Sequence, residues 1–268
     1  MHLGMPNKTV LITGTSEEIG LETALAFGRA GYKVVATMRN PEAASGLKQQ
    51  IQHEKLDISI SEMDVDSDLS VQRGIADIIN AHGAVDVLVN NAGIERHGSV
   101  EEMSVDDFQA TMKTNFFGAL RCIKAVLPCM RKHRKGCIIN VKSVSGRMST
   151  NSVGAYAASK FALEAVSEAL AQELKPFNIK VRIVELAIMD TQMAQDISSG
   201  GESIYPKSPC IDGLCSAALT TPTPTTLAAN KILEIAQSNC WIVRHLLGPD
   251  AAQLIEWRNV MTDEQRVN

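Results

Sequence analysis

The chain has 268 residues, of which 45% are hydrophobic and 21% charged, with a formal net charge of −4. This balance supports a large core in one or two domains, excludes the composition of a disordered chain, and provides no positive field to recruit nucleic acid or an anionic membrane. No run of about 18 apolar residues occurs and no signal-peptide core precedes the first strand, so a soluble, cytoplasmic protein without a membrane partner is expected, its cysteines reduced and without metal-ligand spacing.

Thr9–Ile12 is a short apolar run closed by Gly14, and Ile19–Phe27 has helical spacing, so the chain opens as strand, turn and helix. Val34–Thr37 and Asp57–Met63 are the next strand candidates, separated by a polar helix from about Pro41 to His53. A helix near Leu69–Ala81, a buried strand at Asp86–Val89, a long helix from about Val105 to Lys132 and a strand at Cys137–Val141 continue the alternation. After a helix carrying Tyr156 come strands at Val181–Val184 and Trp241–Val243. Strands alternating with helices of this length predict right-handed βαβ units, hence an α/β fold of the Rossmann type: a doubly wound parallel sheet of about seven strands with helices on both faces. No repeat or linker marks a second domain. Residues 190–226 stand apart, because Ser198-Ser199-Gly200-Gly201 and Thr220–Thr225 bracket a weakly periodic segment that suits a substrate-covering lid or a surface loop.

Three motifs fall at positions where this fold gathers ligands. Thr13-Gly14-Thr15-Ser16-Glu17-Glu18-Ile19-Gly20 joins the first strand to the first helix, where a dinucleotide pyrophosphate meets helix N–H groups; Gly14 suits the tight turn and Gly20 close packing. Asn90-Asn91-Ala92-Gly93 ends the fourth strand, a place that suits a ligand crevice. Tyr156 and Lys160 are four residues apart, so on a helix they share one face, and an ammonium beside a phenol favours its ionised form. That pair alone also fits an ordinary amphipathic helix.

Together Thr13-Gly14…Gly20, Asp64-Val65, Asn90-Asn91-Ala92-Gly93, Asn115, Ser143, Tyr156 and Lys160 resemble the classical short-chain dehydrogenase/reductase family over essentially the whole chain. Leu246–Ala251 and Ala36-Thr37-Met38-Arg39 resemble its hydroxysteroid-dehydrogenase-like branch. The resemblance implies a single dinucleotide-binding oxidoreductase domain over residues 1–268 that interconverts a ketone and a secondary alcohol, the substrate a bulky apolar carbonyl compound. It implies Tyr156 as general acid/base, Lys160 lowering its pKa and holding the nicotinamide ribose, Ser143 polarising the carbonyl, and Asn115 holding a relay water. Cofactor contacts are implied for Gly14, Ser16, Ile19, Arg39, Asp64, Val65, Asn91, Ala92, Gly93, Tyr156, Lys160 and Thr191. The second strand ends without a carboxylate and is followed by Arg39, which favours NADP(H) over NAD(H) because a cation accommodates the extra phosphate. A homo-oligomer, dimer or tetramer, is implied through the helices that carry Asn115 and Tyr156.

The chain departs from the family pattern at four places: Glu18 stands where the turn has its middle glycine, Lys142 replaces a small residue before Ser143, and Leu186-Ala187 replaces Pro-Gly after the sixth strand. These changes support an alternative reading, a catalytically impaired member serving as a nucleotide-binding or scaffold protein. Arg131–Lys135 ends a helix whose dipole its cations complement. Met189, Met193 and Tyr205 fit packing and a substrate pocket equally.

Overall fold

The computed structural model describes residues 8–194, 203–205, 220 and 223–267, so most of the segment 190–226 lies outside the described residues. Seven strands, β1 (Thr9–Thr13), β2 (Lys33–Met38), β3 (Ile58–Glu62), β4 (Val87–Asn90), β5 (Gly136–Ser143), β6 (Ile179–Leu186) and β7 (Arg244–Leu247), form one sheet in the order β3-β2-β1-β4-β5-β6-β7. Every pairing is parallel. The expected doubly wound α/β architecture is therefore present, with its topological switch between β1 and β4.

Alternation along the strands divides the core. Val10 and Ile12 of β1 face one side with Phe27 of α1 (Glu18–Arg29), Leu47 of α2 (Ser45–Glu54) and Ile232 of α7 (Thr225–Gln237). Leu11, between them, faces the other side with Ile75 of α3 (Asp68–His82), Ile123 of α5 (Ala119–His133) and Leu170 of α6 (Gly154–Leu174). Because both faces are covered, the strands read as apolar runs rather than as alternating ones.

The predicted long helix is α4 (Val105–Met112) running through a π-helical stretch, Lys113–Gly118, into α5. After β7, α8 (Ala251–Val260) packs Ala251 and Ile255 against Val144 and Ala187, and α9 (Asp263–Val267) follows. The expected last strand at Trp241–Val243 is displaced: the ladder forms at Arg244–Leu247 instead. The buried Arg182 guanidinium claims the Cys240 and Ile242 carbonyls, leaving Trp241 and Ile242 exposed. Apolar character alone placed the strand three residues early, because it could not register that those carbonyls are occupied by a side chain.

Candidate active site

A cleft of about 1090 Å³ opens along the carboxyl ends of the strands. Its first lip is the turn after β1. Gly14 N and Thr15 N both donate to Thr37 O, at 2.9 and 3.2 Å, which ties the turn to β2. Gly14 has φ +69°, and a Cβ there would come within 2.8 Å of Ala92 Cα; a Cβ on Gly20 would stand 1.9 Å from Gly14 O. Neither position admits a side chain. Ser16 is exposed and Ile19 half-buried on this lip. Glu17 supplies no side-chain cap to α1, so the helix presents its first N–H groups towards the cleft, as an anion site requires.

Glu18 breaks the pattern in a specific way. Its φ of 50° is left-handed, the conformation glycine adopts without cost. Its carboxylate is not simply solvated: Oε1 accepts the Gln192 N–H at 2.5 Å, beside Thr191 on the facing wall. Thr191 in turn accepts Ala194 N at 3.2 Å through its hydroxyl.

The strand-end motif after β4 is largely architectural. Asn91 donates its amide to Thr13 O and Gly14 O, at 3.1 and 2.8 Å, while Asn91 N and Ala92 N donate to the Thr13 hydroxyl at 3.1 and 3.0 Å. Asn91 thus shapes the first turn, and Ala92 and Gly93 line the wall beside it. At the outer end Arg39 is exposed on the cleft rim and has no ion-pair partner among the described residues. Asp64 lines the same end, its Oδ1 accepting Asp66 N at 3.0 Å; the buried Val65 offers its carbonyl to Arg121 at 3.1 Å.

The other end brings Ser143, Tyr156, Lys160 and Asn115 together. Ser143 closes β5, and Tyr156 and Lys160 lie on the opening turns of α6, with Lys160 Nζ 5.3 Å from the phenol ring centroid. Lys160 also donates to Val141 O at 3.4 Å. Asn115 is 1% exposed and sits behind the wall in the π-helical stretch, a distortion common at functional sites. Its amide accepts from Ile94 N and donates to Ile94 O, both at 2.8 Å, and donates to Ser159 of α6 at 3.0 Å.

Burial pushes the Tyr156 phenol well above its ordinary value, the negative charge of Glu95 adds to this, and the Ser143 hydrogen bond opposes it. The sequence reading has Lys160 lower this phenol; desolvation of the buried ring runs the other way and favours the protonated form. Burial and then the charge of Lys142 bring Lys160 down to about 8.

Sequence reasoning missed the structure around Lys142. This side chain is fully buried, paired with Glu164 and 3.7 Å from Glu185; Arg244 reaches Glu164 at 2.6 Å and Arg147 reaches Glu185 at 3.6 Å. Burial pushes Lys142 down and Glu185 up, against the mutual attraction of the charges. The available signal was a pair of carboxylates with apolar neighbours on both sides, Glu164 between Leu163 and Ala165 on α6 and Glu185 between Val184 and Leu186 on β6. Leu186 and Ala187, the other departures, are buried where they line the cleft.

The profile of the short chain dehydrogenase family matches residues 8–201. The chain belongs to that family. It is 40% identical over 181 residues to the 3-ketodihydrosphingosine reductase of Bacteroides thetaiotaomicron, covering 68% of this chain and 64% of that protein. It is 43% identical over 189 residues to human retinol dehydrogenase 8, covering 66% and 58%. It therefore spans less than two thirds of the length of either relative. A solved short-chain dehydrogenase structure from Streptomyces avermitilis superposes with a TM-score of 0.80 at 31% identity, covering 94% of this chain and 92% of that one. The cleft lies at the topological switch point of the sheet, where folds of this topology hold dinucleotides.

Proposed function

We propose that this dehydrogenase reduces a bulky apolar ketone to a secondary alcohol, and runs the reverse reaction, with NADP(H) preferred over NAD(H). The observation that carries the reading is the convergence of Ser143, Tyr156, Lys160 and the Asn115-supported wall at one end of a cleft whose other end holds Gly14, Arg39 and Asp64. Gly14, Ser16, Ile19, Arg39, Asp64, Val65, Ala92, Gly93 and Thr191 would hold the dinucleotide, with Asn91 acting through the shape of the turn. When bound, the nicotinamide supplies or takes the hydride.

Tyr156 donates its phenolic proton to the substrate oxygen during reduction. A phenol kept protonated by burial is suited to this role, while Ser143 adds a hydrogen bond that strengthens as negative charge develops on that oxygen. Lys160, a cation beside the ring, stabilises the phenolate left behind. Asn115 fixes the wall between β4 and α6 so that these groups keep their mutual geometry. The exposed Phe117 and Phe161, on the π-helical stretch and α6, offer apolar surface to a second copy.

The names of the two relatives, a reductase of 3-ketodihydrosphingosine and a dehydrogenase of retinol, are consistent with an apolar substrate. The test is consumption of NADPH and NADH with a series of aromatic and long-chain ketones. Turnover that favours NADPH supports the reading; cofactor binding without turnover of any ketone favours the scaffold alternative raised by Glu18, Lys142, Leu186 and Ala187.

A further inference from the structure

α8 is docked beside Ser143. Its buried Ala251 and Ile255 pack against Val144, the residue after Ser143, and against Ala187, just past the end of β6. The joint that leads into the helix is built around the Ala187 methyl. Ala187 N donates to Leu247 O at 2.8 Å, and Gly248 follows with φ +112°, where a Cβ would stand 2.7 Å from Ala187 Cβ. The alanine that replaces a glycine of the family pattern is thus accommodated by a glycine across the joint, and the pair fixes where α8 begins.

The helix has a second face to offer. Ala251 and Ile255, four residues apart, make the docked one; Asp250, Leu254 and Trp257, at spacings of four and three, form the neighbouring stripe, and all three border the cleft. Leu254 and Trp257 are only half-buried, whereas Ala251 and Ile255 are buried. Buried Met148, just past the turn Val144–Gly146, borders the same cleft. Leu254 and Trp257 follow one another by about 4.5 Å along the helix axis, so together they present a continuous apolar wall. An indole is among the largest apolar surfaces a side chain carries, and covering such a surface with an apolar group of a ligand is favourable in proportion to the area removed from water.

Because α8 rests on the residue next to Ser143, a substituent that leaves the carbonyl on that side runs along this stripe. Building on the dehydrogenase reading above, we infer that Leu254 and Trp257 are specificity-determining residues: they form an apolar subsite on α8 for one substituent of the carbonyl compound, and select ketones with one extended hydrocarbon chain over ketones with two short ones.

The experiment assays methyl ketones of increasing chain length with NADPH for the wild type, Trp257→Ala, Trp257→Phe and Leu254→Ala. Wild-type kcat/KM should rise at least tenfold from the shortest chain to the longest. Trp257→Ala should reduce that long-over-short ratio at least fivefold, Leu254→Ala should reduce it less, and Trp257→Phe should restore most of it. A wild type indifferent to chain length, or a parallel loss for short and long ketones in the variants, would overturn the proposal and leave both side chains as packing for α8. Fluorescence gives a readout independent of turnover. The chain has two tryptophans and Trp241 is exposed ahead of β7, so Trp241→Phe leaves Trp257 as the sole indole. In the protein loaded with NADP+, which has no hydride to give a ketone, the long-chain ketone should move Trp257 emission to shorter wavelength and the short one should not. No shift with the long chain overturns the proposal. A shift specific to the long chain, with no turnover of any ketone by the wild type, would count against the dehydrogenase reading and not against the subsite.

Discussion

The turn after β1 and the end of β5 have each gained a charged side chain where the family has a small residue, and the two have been accommodated in opposite ways. Glu18 stays at the rim: it takes a left-handed backbone and spends its carboxylate on the Gln192 N–H across the cleft. Lys142 is drawn inside, where Glu164 and Glu185 surround it and Gly146 leaves the room its ammonium needs; a Cβ on Gly146 would fall 2.4 Å from Nζ. A charge in the interior must be paired on all sides or expelled, whereas one at the rim needs only a single donor and tolerable strain. The interior change therefore bears on stability and on Lys160, and the rim change on the end of the cleft proposed to hold the cofactor.

Chemistry itself should be separable from both. Tyr156→Phe retains the ring and its packing but removes the proton donor, so the reductive rate should fall at least about 100-fold while NADPH affinity is unchanged. Single-turnover rates and a cofactor titration check this, and near-normal turnover would remove Tyr156 from its role. The interior cluster comes next. Lys142→Met leaves Arg244 on Glu164 and Arg147 near Glu185, so the loss should be about 1–3 kcal/mol by denaturant unfolding, less than for a carboxylate stripped of every partner. The folded variant then reports on Lys160, whose ammonium, at about 8, is lost as pH rises through that value, so that kcat/KM for reduction declines above it. Removing the like charge of Lys142 raises Lys160, and the alkaline decline should move to higher pH. A decline that stays in place would show that the two ammonium groups are not coupled.

Most of the fold was legible because parallel strands buried on both faces read as apolar runs between helical periods, as at Thr9–Ile12 and Cys137–Val141. The lost strand at Trp241–Val243 shows the limit, since the competitor for its carbonyls, Arg182, lies about sixty positions away in sequence. At the site, family spacing located Ser143, Tyr156 and Lys160 on one cleft. It did not reveal that Asn91 is committed to the first turn, nor that Glu18 would find Gln192, because each hydrogen bond closes a loop of 77 to 174 residues. The direction of the Tyr156 shift was also hidden, because it depends on burial, which no local motif reports. The cations of Arg131–Lys135 do have structural work at the end of α5: Arg134 donates to Pro176 O at 2.6 Å and Lys135 pairs with Asp86 at 2.7 Å. Tyr205 is exposed and bonded to Glu101, while Met189 is packed in the core and also borders the cleft.

Arg39 gives a smaller effect at the nucleotide end. Arg39→Asp places a carboxylate on the rim where it repels a 2′-phosphate and accepts from a 2′-hydroxyl, so the ratio of NADPH to NADH dissociation constants should change roughly tenfold, about 1.4 kcal/mol, in favour of NADH. An unchanged ratio would leave Arg39 as a solvated charge.

Glu18→Gly tests the rim itself. Releasing a non-glycine residue from φ 50° recovers about 1 kcal/mol, but glycine also adds roughly 0.4–1 kcal/mol of disorder to the unfolded chain. Stability should therefore barely move, and the informative quantity is affinity. The substitution removes a negative charge from the lip where the pyrophosphate approaches α1 and frees Gln192 N, so NADPH should bind about 1 kcal/mol more tightly at low salt, roughly fivefold. Because the repulsion is screened, the gap between the two proteins should narrow as salt rises toward about 1 M, where the Debye length is about 3 Å. Equal affinity at low salt would mean that the carboxylate, held on Gln192 N, never faces the phosphates. The rim charge would then be as well accommodated as the buried one, and the case for an impaired enzyme would lose its strongest support.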